Sequence, residues 1–378
     1  MRGQQLDIVF IGLTITSSWG NGHATTYRSL IKALSQRGHR ILFLERDMPW
    51  YASNRDLPVP PHGRTELYSG IEELKERFAE EVRLADIVVV GSFVPDGVEV
   101  GRWVTETVKK VSAFYDIDTP LTMAKLQNAD FEYLAPDLIP QYDLYFSFTG
   151  GPILARLERD YGSPMARALY CAVDPDAYYP CCGHCSYDLG YMGTYSSDRQ
   201  PVLSRLMLQP AIRWRKGRFI VAGPQYPTGV RWPKNVERVE HLPPDRHCSF
   251  YNAQRFTLNV TRADMVKAGY SPSVRLFEAA ACATPIISDY WEGLESFFIP
   301  GVEILLSQKP EDTLNFLKKL PDEERRLVGE RARMRVLTQH TAMHRAEEFE
   351  QCAREALQWK ATKRGKRHAV SGKADRRP

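Results

Sequence analysis

The feature that most constrains this chain is a rhythm of short apolar runs alternating with helical stripes, which pauses once and then restarts. Residues 7–15 read as a buried strand. A loop follows, and residues 23–37 place Ala24, Tyr27, Leu30, Ile31 and Leu34 on one helical face, with Gly38 at the stop. Residues 40–44 form the next strand, completing a strand-helix-strand unit with a right-handed crossover. Strands are predicted at 86–90, 111–115, 144–148 and 168–170, with helices at 99–109, from 121 and at 152–159. After a loop-rich interval at 174–187, strands recur at 189–192, 218–221, 256–260, 284–288 and 303–306, and 322–359 is helix-like and charged. Strands of this kind have both faces covered. The pattern predicts an α/β chain with two Rossmann-like, doubly wound domains.

At 378 residues the chain is long enough for two such domains of about 150–200 residues each. The expected division is a first domain at 1–172, a linker at 173–187 and a second domain at 188–335. A helix at 336–359 is expected to pack back on the first domain, ahead of a basic, disordered tail at 360–378. That tail carries eight Lys or Arg and one Asp, a charge of +7 against +4 for the whole chain, so the rest carries −3. A mildly acidic body argues against nucleic-acid binding. No run of about 18 apolar residues suggests a membrane span. Seven Cys, an odd number, and the lack of a secretory signal point to a reducing cytoplasm. Cys181, Cys182, His184 and Cys185 cluster without the second, distant ligand pair of a structural zinc site, so no metal or other cofactor is expected.

Three stretches carry chemistry. Gly20, Asn21 and Gly22 lie between the first strand and its helix, where glycines allow close backbone approach and a helix start favours an anion. The dinucleotide glycine spacing is missing. His23 at the helix start is either a capping-region residue or a ligand contact. Asp116 and Asp118 follow the strand at 111–115. They suit a metal-bridged diphosphate, an acceptor-side base or anchor, or, for Asp118, a helix N-cap ahead of Thr119 and Pro120. In the third stretch, residues 271–289, Ser271 and Ser273 precede a helix of small residues and then a strand. Ser273 is a good N-cap, the loop offers backbone N–H groups to an anion, and Glu278 could accept hydrogen bonds from ribose hydroxyls.

This third stretch resembles the donor-site segment of group 1 GT-B glycosyltransferases, and especially the CgeB-like branch. Residues 171–180 resemble the family's Val-Asp-x-x-x-Phe-x-Pro linker signature. Residues 189–195 resemble the second domain's first strand and glycine loop, with Gly193 and Thr194; Gly223 with Pro224 resembles a later turn. Trp19 to His23 and Arg37 to Ile41 resemble the opening unit. The resemblance spans about residues 7–310. It implies a GT-B fold with two domains facing a central cleft, a hinge near 171–187, and a nucleotide-diphosphate sugar, UDP-linked, in the second domain. Arg199 matches a basic donor contact, and Arg262 and Arg275 flank it; a guanidinium suits phosphate by its two parallel donors. Where the family carries two Glu separated by seven residues, Glu278 fits the second and Tyr270 replaces the first. The implied activity is sugar transfer to a small-molecule, glycan or protein acceptor, with retention if the likeness extends so far. A nucleotide-sugar epimerase or hydrolase, or a non-catalytic nucleotide-sugar-binding protein, fits the same scaffold.

Overall fold

The computed structural model describes residues 4–181 and 183–374. The chain divides into two compact units, one of Met1–Tyr170 with Met343–Pro378 and one of Cys171–Ala342. In the first, β1 (Asp7–Gly12), β2 (Arg40–Arg46), β3 (Arg64–Tyr68), β4 (Ile87–Gly91), β5 (Val111–Asp116), β6 (Leu144–Ser147) and β7 (Ala166–Ala168) form a parallel sheet in the order β3-β2-β1-β4-β5-β6-β7. Val88, Val89 and Val90 are fully buried, as a strand covered on both faces requires. The order reverses between β1 and β4. Ligands bind at such a switch, outside the carboxyl ends of the strands.

The second unit repeats the plan. Strands β8 (Tyr187–Met192), β9 (Phe219–Ala222), β10 (Val236–Val239), β11 (Gln254–Asn259), β12 (Ile286–Ser288) and β13 (Leu305–Leu306) form a parallel sheet ordered β10-β9-β8-β11-β12-β13. Its switch lies between β8 and β11. These are the two doubly wound α/β halves expected.

Five helices matter for the sites: α1 (His23–Gln36), α2 (Thr119–Gln127), α3 (His247–Asn252), α4 (Val274–Ala281) and α5 (Ala342–Ala374). Ala279, Ala280 and Ala281 of α4 are fully buried. The helix Asp322–Gln339 crosses near its end, where a Cβ on Gly329 would lie 2.1 Å from the carbonyl oxygen of Ala283. Arg333 Nε also donates to Ala281 O at 3.2 Å. That packing holds the whole helix in the second unit.

Three boundaries differ from the sequence reading. The predicted helical stretch 322–359 is broken at His340 and Thr341, because Val173 pairs with Thr341 and accepts from Ala342 N at 2.8 Å. The return to the first unit therefore starts at Met343, not at 336. Residues 360–374, expected as disordered tail, continue α5, in keeping with a run rich in Lys, Arg and Ala, all good helix formers; residues 375–378 lie outside the described residues. Among the described residues no helix is long and apolar enough to cross a membrane.

Candidate functional site

The carboxyl edge of the second unit's sheet is cationic. Gly193 N donates to Ala222 O at 2.8 Å, and Tyr195 N to Pro224 O at 3.0 Å, so the loops after β8 and β9 run together. Gly223 sits at φ +143°, and a Cβ there would lie 2.1 Å from Gly193 O. Only glycine permits both that dihedral and that approach. Arg275 stitches the edge. Its Nη1 donates to Met192 O (2.7 Å), its Nη2 to Val260 O (3.4 Å) and its Nε to Ser273 Oγ (3.0 Å). Ser273 occupies the N-cap of α4 in extended conformation, but with its hydroxyl turned to Arg275 no side chain caps the first turn. The cap predicted for Ser273 is thus one of position only.

Arg199 gives the site its polarity. Its Nη2 donates to Thr194 O at 2.6 Å, while its Nε is buried without a partner. Burial, then the charges of Arg275 and Arg262, depress its pKa. An unpaired buried donor and like-charge crowding are both unfavourable until an anion arrives. Tyr270 stands on a left-handed turn, φ +47°, where its N–H donates to Glu292 O at 2.6 Å and its ring covers Gly293, whose Cβ position lies 2.4 Å from the ring. Ser271 is buried beside it.

Glu278 differs from its predicted state. It is only 3% exposed. Tyr178 Oη donates to Oε1 and Tyr251 Oη to Oε2, each at 2.9 Å. Part of its acceptor capacity is already used within the chain. Neither tyrosine was singled out from the sequence, although Tyr178 occupies the Phe position of the linker signature. A second missed feature is the Arg238 guanidinium, held over the rings of Tyr226 (4.3 Å) and Trp232 (4.5 Å) while it donates to Val221 O and Gly223 O. It braces the Gly223 turn from behind.

The first unit's carboxyl edge has another character. Asn21 Oδ1 accepts from His23 N (3.1 Å) and Ala24 N (3.2 Å). Those amides, predicted to meet an anion, are capped by the chain itself. Gly20 and Gly22 border open space. The preceding loop hangs on the buried Glu45 carboxylate, which accepts from Ile15 N, Thr16 N and the hydroxyls of Thr14 and Thr16. No sequence motif pointed to Glu45. The His23 ring stands edge-on to Phe93 at 5.4 Å with Nδ1 buried and unpartnered; burial lowers its pKa to about 4, so it is neutral at pH 7. Phe93 itself has φ +63°, a strained setting of the kind that gathers at functional loops.

Asp116 is fully buried and accepts from Tyr145 Oη (2.6 Å), Thr122 Oγ1 (2.7 Å) and Asp118 N (3.3 Å). Burial outweighs these bonds and pushes its pKa up to about 7. Asp118 is half-buried at the N-cap of α2. Its backbone oxygen accepts from Leu121 N and Thr122 N, and its side chain does not cap the helix. The capping role considered for Asp118 therefore belongs to its backbone alone. Among the described residues no group of three or more His, Cys, Asp or Glu is arranged to hold a metal ion. Cys182 of the cysteine cluster lies outside the described residues.

A glycosyl transferase-like family model matches residues 199–351. The match contains Arg199, Gly223, Arg262, Tyr270, Ser271, Ser273, Arg275 and Glu278. No curated protein matches. Among solved structures the chain is similar to a sucrose-phosphate synthase from Thermosynechococcus elongatus (15% identity, 93% of this chain and 99% of that chain, TM-score 0.67). It is also similar to Anabaena Alr3699/HepE in complex with UDP and glucose (12%, 93% and 100%, TM-score 0.69). A third is the catalytic domain of starch synthase IV from Arabidopsis thaliana bound to ADP and acarbose (11%, 94% and 100%, TM-score 0.64). At such identities these likenesses show the fold, which is GT-B. The matched segment is glycosyl transferase-like, and the fold that carries it is GT-B.

Proposed function

We propose that the chain transfers a sugar from a UDP-linked donor, held by the second unit, to a hydroxyl acceptor on the first-unit side, as a CgeB-like enzyme. The observation that carries this reading is the buried, unpartnered Arg199 Nε beside the uncapped start of α4. A diphosphate satisfies both, by a charge-assisted hydrogen bond and by the positive end of the helix. Arg199, Arg262 and Arg275 meet the leaving-group charge as the glycosidic bond breaks, which lowers the barrier where charge develops. In this reading the arginines take the place of a metal ion. Glu278 faces the ribose, and Gly193, Thr194 and Gly223 let the backbone approach the phosphates. Ser271, Ser273 and Tyr270 shape the sugar end.

On the first unit, Asp118 contacts the acceptor hydroxyl, and Asp116 positions the Asp118 loop through the bond to its N–H. Neutral His23, beside Phe93, is a hydrogen-bonding contact for the acceptor. The donor sugar keeps its anomeric configuration, as the family resemblance implies. Tyr270, in place of a carboxylate, is the one observation favouring a second reading, a non-catalytic nucleotide-sugar-binding protein. Incubation with UDP-sugars in EDTA, with and without a panel of hydroxyl acceptors, tests the proposal. UDP release that needs an acceptor supports it. Turnover without acceptor identifies a hydrolase or epimerase, and binding without turnover identifies the second reading.

A further inference from the structure

The bonds to Glu278 have a consequence for what the site accepts. An ionised carboxylate offers about four lone-pair positions on its two oxygens. Tyr178 Oη fills one on Oε1, and Tyr251 Oη fills one on Oε2. One position remains on each oxygen of the same planar group. The complementary ligand has two neighbouring O–H donors, a vicinal cis-diol.

The tyrosines are built to donate. Each phenol carries one hydrogen. Tyr178 gives its hydrogen to Glu278 Oε1 at 2.9 Å, the nearer of its two acceptors, the other being His247 Nδ1 at 3.3 Å. His247 Nε2 lies 3.2 Å from Leu242 O, which only accepts, so Nε2 carries the ring hydrogen there. Burial, with the neighbouring Glu278 charge, raises both phenol pKa values well above the ordinary value and keeps both protonated. The two ring centroids lie 6.4 Å apart. The Tyr178 hydroxyl is an addition of this chain to the linker pattern it resembles, which has Phe there.

We propose that Tyr178 and Tyr251 are positioning residues that fix Glu278 as a two-point acceptor for the ribose 2′- and 3′-hydroxyls, and so set selection of ribonucleotides over 2′-deoxyribonucleotides. The inference rests on the donor-site reading above. Without the hydroxyl at 178, the carboxylate gains a free lone pair on Oε1 and can turn. Its fit to the diol is lost, while phosphate and base contacts are untouched.

The test is calorimetric titration of UDP and 2′-deoxy-UDP into wild type, Tyr178→Phe, Tyr251→Phe and Glu278→Gln. Wild type is expected to prefer UDP by about tenfold or more, the value of a hydrogen bond to a charged group. Each Phe variant should lose most of that preference by weakening UDP, with 2′-deoxy-UDP within about twofold of wild type. A merely structural role weakens both nucleotides alike, and that result overturns the proposal. So does an unchanged preference in both Phe variants while Glu278→Gln loses it, which leaves the donor site standing. If wild type binds no UDP, the donor-site reading falls and takes this inference with it. Melting temperatures accompany each titration. Should Tyr251→Phe not fold, Tyr178→Phe, altered in the linker segment before β8, carries the test alone.

Discussion

The carboxyl edges of the two sheets are alike in topology and opposite in chemistry. Both lie at a strand-order reversal, β1/β4 in one unit and β8/β11 in the other. In the first unit the helix start after β1 is closed by Asn21, the arginines at its loop, Arg28 and Arg55, are paired with Asp56 and Asp47, and Asp116 is fully buried. In the second, no side chain caps the start of α4, and the Arg199 Nε is buried without a partner. The fold supplies two equivalent positions, and the side chains decide their use. An edge with unspent positive charge suits a diphosphate. An edge with a buried acid and a half-buried carboxylate beside it suits handling of a hydroxyl proton.

The largest effect should come from closing the second edge sterically. Gly223→Val drives a branched side chain into Gly193 O and forces φ +143° on a β-branched residue. UDP binding, followed by calorimetry, should become undetectable, with a clear fall in melting temperature. Retained binding would mean that the two loops are not part of the site.

Next comes the first edge. Asp118→Asn should lower kcat by about 100-fold, the scale of lost acid-base assistance, with UDP affinity within about twofold. A matching loss of UDP affinity would erase the proposed division of labour.

Arg199→Ala should weaken UDP by about tenfold and UMP by less, since a hydrogen bond to phosphate is worth about 1.5–3 kcal/mol. The free protein should melt close to wild type, because removing an unpaired buried donor and the repulsion from Arg275 and Arg262 offsets the lost bond to Thr194 O. A large drop in melting temperature with unchanged UDP binding would make Arg199 structural.

The last prediction concerns Asp116 and reads stability, with no change in UDP binding. Its folded pKa, about 7, lies above the ordinary carboxylate value near 4, so the folded state holds a proton that the unfolded state has released across that window. The contribution is present in full below about pH 4 and is lost as pH rises through about 7. The stability of wild type relative to Asp116→Asn should therefore fall between pH 4 and 7, by on the order of a few kcal/mol, and level off above. A flat difference would mean that Asp116 stays ionised in the fold.

Much of this was legible in the sequence. The central strands announce themselves as continuous apolar runs, Val88 to Val90 being the plainest, because both faces are covered. The edge strands β3 and β10 were missed. Arg64 to Tyr68 and Val236 to Val239 each mix charged and apolar residues, and a short strand with one partner needs little apolar signal. At the site, the glycines and arginines were found by type and position. What escaped was how polar groups spend their bonds. The sequence shows Ser273 as a cap, Asn21 as part of an open anion loop and Glu278 as an available carboxylate. Their partners Arg275, the α1 amides and two tyrosines come together only in three dimensions. Tyr251 is 27 residues from Glu278 and Tyr178 is 100 away, on separate elements.

The central claim is that the second unit's cationic edge holds the donor diphosphate. A crystal structure of the protein soaked with UDP tests it most directly. The account predicts a phosphate oxygen at about 2.7–3.2 Å from Arg199 Nε, with a second phosphate against the first turn of α4. A diphosphate bound at the Asn21 loop, or anywhere else away from Arg199, would contradict it.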